Sequence, residues 1–172
     1  MEHWRLLLFL VVSCVSGCAG AESRVSRPLD VRSDGVKILA CVPIDEGEDV
    51  VVADAGVSAI GFPADRLSSP WSISAVEGNP KLSLSPGECL VFGVAPDGYV
   101  ANSPEAALKE GQPYTFSVRS PEWGGYRTRL HSGVFCVNGS GADVEVVQVP
   151  LSHRAVTAET CRQLFDAMEG AH

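Results

Sequence analysis

Through most of the chain, short apolar stretches alternate with small or polar residues and are broken by Gly, Pro, Asp and Asn. A period of two puts apolar side chains on one face of a strand, and turn residues between such runs mark reversals of direction. The pattern predicts strands over 35–43, 50–54, 57–62, 71–77, 82–84, 88–95, 114–119, 126–130, 133–138 and 144–149. Residues 88–95 lie between the turns Ser85-Pro86-Gly87 and Pro96-Asp97-Gly98 and suit a buried strand. In 114–119, Tyr114, Phe116 and Val118 share one face, and Trp71 opens its strand as a core residue. Helical spacing is confined to a turn at 104–109 and to 158–169. There Thr157 is the N-cap and Cys161, Leu164, Phe165 and Met168 recur at three and four residues. Many short strands joined by turns imply an all-β sandwich or barrel with a short C-terminal helix. No internal repeat or low-complexity segment interrupts it.

One stretch narrows the architecture. Leu108-Lys109-Glu110-Gly111-Gln112-Pro113-Tyr114-Thr115-Phe116 resembles the strand entry of immunoglobulin-like and fibronectin-like sandwiches. The resemblance implies a turn, then a strand whose first aromatic packs inward while its hydroxyl reaches backbone at the corner. The expected fold is therefore an immunoglobulin-like β-sandwich.

The first residues follow another logic. Met1-Glu2-His3-Trp4-Arg5 precedes an apolar run over 6–12, then Ser13-Cys14-Val15-Ser16-Gly17-Cys18. A charged start, a short apolar stretch and small residues before a cut site are the parts of an export signal. The run is too short to span a bilayer, which takes about 20 apolar residues. Val15-Ser16-Gly17-Cys18 resembles the lipobox of bacterial lipoproteins. That likeness implies diacylation of Cys18, cleavage just before it and loss of Cys14 with the signal. Ala19 rather than Asp after the lipidated Cys implies the periplasmic leaflet of the outer membrane. The expected organisation is a signal over 1–17, Cys18 and a flexible tether over 18–32, and one sandwich domain with its helix over 33–172.

Charge and cysteines then exclude several functions. The chain carries 13 basic and 21 acidic residues, a net charge of −8. Loss of Arg5 and Glu2 with the signal leaves that balance unchanged. Such a chain lacks the basic face that nucleic-acid binding requires. Cys41, Cys89, Cys136 and Cys161 remain in an oxidising compartment, an even set that implies two disulfides. Three pairings are open, and Cys161 is placed to staple the terminal helix to the sheets. Their spacing is wide and contains no C-x-x-C, so no zinc site is expected.

Catalytic groupings are missing as well. His131 falls between two predicted strands, where a hairpin turn is expected; His153 leads into the helix, and His172 is terminal. None belongs to a metal-binding pattern. Asp45, Glu46, Glu48 and Asp49 crowd one loop, but neighbours on a loop do not face each other across a sugar as glycosidase carboxyls do. No enzyme, metal or cofactor is expected, and binding surface remains. Trp123, Tyr126, Arg127 and Arg129 lie in and beside the Gly-rich Gly124-Gly125, and Trp, Tyr and Arg are the usual anchors of interfaces. Packing of Trp123 or Tyr126 into the sandwich is the competing reading. The acidic loop is a second candidate, a rim suited to a basic partner.

The lipobox and the Cys-bearing strands Leu39-Ala40-Cys41-Val42-Pro43, Pro86-Gly87-Glu88-Cys89-Leu90 and Phe135-Cys136-Val137 resemble a group of small periplasmic lipoproteins, the immunity proteins of type VI secretion. The stretch 108–118 belongs to the same likeness. The likeness implies a membrane-anchored protein that binds a toxin delivered to the periplasm and covers its active site. Two alternatives stay open. One is a structural or assembly lipoprotein of an envelope or secretion complex. The other is an inhibitor of lysozyme-like enzymes, for which Ser132-Gly133-Val134-Phe135 is a poor copy of the inhibitory loop.

Overall fold

A computed structural model describes residues 26–61, 69–121, 129–139, 144–150 and 155–170. The signal, Cys18 and residues 122–128 lie outside these. The described chain is mostly β with one short terminal helix. Its strands are β1 (Arg27–Pro28), β2 (Asp30–Ser33), β3 (Ile38–Cys41), β4 (Val50–Val51), β5 (Asp54–Ala59) and β6 (Trp71–Ala75). There follow β7 (Ser83–Leu84), β8 (Cys89–Val91), β9 (Tyr99–Ser103), β10 (Pro113–Ser120), β11 (Arg129–Asn138) and β12 (Glu145–Gln148), then α1 (Ala158–Glu169).

The larger sheet runs β1-β11-β10-β5-β6-β9, with β12 also on β11; a second runs β2-β3-β8, and β4 pairs with β7. All pairings are antiparallel except β1 with β11. Inward residues of both main sheets merge into one core, in which Val31, Ile38 and Leu90 of the smaller sheet join Val57, Ile73 and Phe116 of the larger. Trp71 is fully buried, edge-on to Phe116 and to Phe92 with ring centroids 5.7 and 5.8 Å away. This layering is sandwich-like.

Tyr114, at the start of β10, is buried and stacks on Phe135 at 5.8 Å. Its hydroxyl accepts from the Lys109 backbone N–H at 2.7 Å, so the turn before the strand is tied to the residue that opens it. Gly111 makes that turn at φ +69°, where a side chain would be strained.

Both disulfides join elements distant in sequence. Cys41 and Cys89 face each other across β3 and β8, and Cys136 of β11 holds Cys161 of α1. The helix begins in a reciprocal cap. Thr157 Oγ1 accepts from the Thr160 N–H, and Thr160 Oγ1 accepts from the Thr157 N–H. Cys161 is its fully buried residue, with Leu164 and Phe165 packed beside it.

Four expectations change. The part of the tether from Arg27 onward is not a tether but forms β1 and β2. Leu29 and Val31 are buried in the core, and Gln148 spans the crossing by donating to the Leu29 carbonyl at 2.7 Å and accepting from the Val31 N–H at 2.9 Å. His131 is not in a turn, because β11 runs unbroken from Arg129 to Asn138. Gly133 serves close approach instead, since a Cβ there would lie 2.6 Å from both the Leu29 carbonyl oxygen and Val31 Cγ2. Residues 104–109 form no helical turn: the Ala106 N–H is taken by the Pro70 carbonyl at 2.8 Å. Finally, β9 is an additional edge strand on β6.

Candidate functional site

The loop from β3 to β4 carries all four acidic residues of the cluster, and the fold brings it against the end of the larger sheet where β10 finishes and β11 begins. Parallel pairing sets Arg27 opposite His131, and antiparallel pairing sets Arg129 opposite Ser120. Together these elements enclose an open recess of about 560 Å³. Its lining is Arg27, Glu46, Glu48, Asp49, Val50, Val51, Ser120, Pro121, Arg129 and His131.

Opposite charges interlock within it. Arg27 pairs with Glu46 and stands 4.0 Å from Glu48, while Arg129 also pairs with Glu48. Glu48 thus lies between two guanidiniums, and its carboxyl is held below the ordinary range, first by the hydrogen bond from Arg129 and then by that charge. Its side chain is 61% exposed, so the pairing orients the loop more than it stabilises the fold. The Ser120 hydroxyl donates to the Val51 carbonyl and ties β10 to β4.

His131 is the buried member, only 2% exposed. Burial lowers its pKa below the ordinary 6.5; the charge of Glu46 opposes this, and those of Arg27 and Arg129 add to it. The imidazole is therefore neutral near pH 7. Its Nδ1 has no hydrogen-bond partner among the described residues. A buried polar atom left unpaired costs stability and calls for an explanation.

No family model matches the chain, and no curated protein or solved structure matches it.

Of the expected binding residues, Glu46, Glu48, Asp49 and Arg129 meet in the recess, while Asp45 lies on the same exposed loop outside the lining. Trp123, Tyr126 and Arg127 fall outside the described residues. Arg27 and His131 join the recess although the sequence pattern places the first in a tether and the second in a turn. The missed signal is the spacing of Arg27, Leu29 and Val31, a period of two leading into β2. Just before the acidic stretch stands Ile44, 86% exposed. Among the described residues, no group of three or more His, Cys, Asp or Glu side chains is arranged to hold a metal ion.

Proposed function

We propose that the chain is a non-catalytic binding protein of the periplasm, anchored by lipid on Cys18 in the outer membrane, and an immunity protein that occludes a delivered toxin. One observation carries the reading. The acidic loop and two arginines from distant strands converge on one recess at one end of the larger sheet. A charged, solvent-open recess of this kind suits the polar part of a protein interface, where complementary charge sets the choice of partner. Both disulfides favour such a role, because a preorganised surface loses less entropy on binding. Residues 122–128, with Trp123, Tyr126 and Arg127, join the recess residues Pro121 and Arg129 in sequence.

We place the fold in the immunoglobulin-like class. Support comes from the Tyr114 corner, the division into two sheets sharing one core, and the N-terminal strand that passes from one sheet to the other. Inhibition of a lysozyme-like enzyme through Ser132-Gly133 gains no support, since that stretch is inside β11 and packed under Leu29.

The test is capture from envelope extract with the chain from Ser23 onward as bait, followed by mass spectrometry. Retention of one stoichiometric secreted protein that Asp45→Lys releases supports occlusion. Retention of envelope machinery moves the reading to an assembly lipoprotein.

A further inference from the structure

Placement separates the two disulfides. Ile38, Ala40 and Val42 face the main core, as does Leu90 of β8. The alternate positions Cys41 and Cys89, paired directly across β3 and β8, therefore fall on the outer face of the smaller sheet. Among the described residues β8 is an edge strand of that sheet. Cys89 is half-buried, and the exposed Arg32 points a guanidinium nitrogen at its Sγ from 4.0 Å. Cys136 and Cys161 are instead both 0% exposed, sealed where α1 meets β11. Disulfide exchange requires a thiolate to reach one sulfur of the bond, and a neighbouring cation favours that approach.

We propose that Cys41–Cys89 is a reducible switch at the root of the acidic loop, opened by a dithiol reductant, while Cys136–Cys161 is a lasting staple. One thiolate of the reductant attacks Cys89 Sγ, and Cys41 Sγ leaves as a thiolate. The second thiolate then attacks the reductant's own sulfur in the mixed disulfide and releases Cys89. Two electrons pass to the protein, each cysteine takes one of the two protons that the dithiol gave up, and the dithiol becomes a disulfide. Only Val42, Pro43 and Ile44 separate Cys41 from the acidic residues, so the bond anchors the loop where it leaves β3. Hydrogen bonds still join the strands once it opens. The Val42 N–H donates to the Glu88 carbonyl at 2.9 Å, and the Gly87 N–H to the Val42 carbonyl at 2.8 Å. These keep the two thiols opposed, so reoxidation restores the same pair. Without the covalent tie they open more often, and the loop with them. The switch adds a control to the loop that the occlusion reading uses, but its chemistry needs no partner.

The test treats the full chain, in detergent micelles at 25 °C, with millimolar dithiothreitol. Timed alkylation and peptide mass spectrometry read each cysteine pair. Cys41–Cys89 should open at least about tenfold faster than Cys136–Cys161. Far-UV circular dichroism should stay that of the folded chain. Amide exchange at Val42, Glu46 and Gly87 should quicken at least about fivefold, and oxidised glutathione should reverse it. Equal rates for the two bonds, faster opening of Cys136–Cys161, unchanged exchange at those amides, or loss of the folded spectrum would overturn the proposal. Because no toxin takes part, failure here leaves occlusion standing, and failure to capture a toxin leaves the switch measurable.

Discussion

Removing the two disulfides one at a time should produce two different kinds of damage. The Cys41–Cys89 bond spans 48 residues and Cys136–Cys161 spans 25. By the entropy of loop closure alone they are worth about 4 and 3.5 kcal/mol, nearly equal. The structure separates them by what each one holds. Cys41–Cys89 ties β3 to β8, and buried residues of both strands belong to the main core. Its loss must be felt by the cooperative unit as a whole. The other bond docks α1, whose fully buried residue is Cys161 itself. A helix of 12 residues is marginal by itself, so without the bond it should undock while the sheets persist. Paired Cys→Ala variants at 41 and 89 should therefore lower the melting temperature by about 10 °C. Paired Cys→Ala variants at 136 and 161 should lower it by less than about 4 °C while stripping exchange protection from the amides of 158–170. Calorimetry and hydrogen exchange measure both. Equal global losses, or a protected α1 without its bond, would refute the reasoning.

Other substitutions test the packing and the recess. Gly133→Ala drives a methyl into the Leu29 carbonyl and Val31 and should cost about 1–3 kcal/mol in urea unfolding, with faster exchange in β1 and β2. Tyr114→Phe leaves the Lys109 N–H without its acceptor and should cost about 1 kcal/mol, read by the same assay. His131 takes up its proton less readily folded than unfolded, where its pKa is near 6.5. Its contribution to stability is full above that value and is lost as the pH falls towards its lower folded pKa. His131→Leu should flatten the urea midpoint between pH 7 and 5, and an unchanged slope would contradict the burial argument.

Alternation made the strands around Ala40, Ile73 and Phe116 legible, because each has one face in the core. The helix was legible through Thr157 and the spacing of Cys161, Leu164 and Phe165. What escaped had polar neighbours. Leu29 and Val31 sit among Arg, Pro and Asp, so their two buried positions were lost in a stretch that resembles a linker. In β9 only Tyr99 is buried, too little to make a pattern. Leu130-His131-Ser132-Gly133 has the composition of a turn, yet Gly133 is there so that another strand can cross it. The recess was half legible. Residue type singled out the acidic loop and Arg129, but Glu48 and Arg129 are 81 positions apart and meet only through the strand order. Arg27 and His131 became visible only once β1 was seen beside β11.

Binding by this protein turns on whether the recess formed by the acidic loop, Arg27 and Arg129 is the face that meets the partner. Capture from envelope extract by the chain from Ser23 onward, run beside its Asp49→Lys and Glu48→Lys variants, tests this most directly. Expected are one stoichiometric secreted protein on the unaltered chain, at least about tenfold less on either variant, and equal thermal stability of all three baits. The same protein retained equally by all three, or envelope machinery in its place, would contradict it.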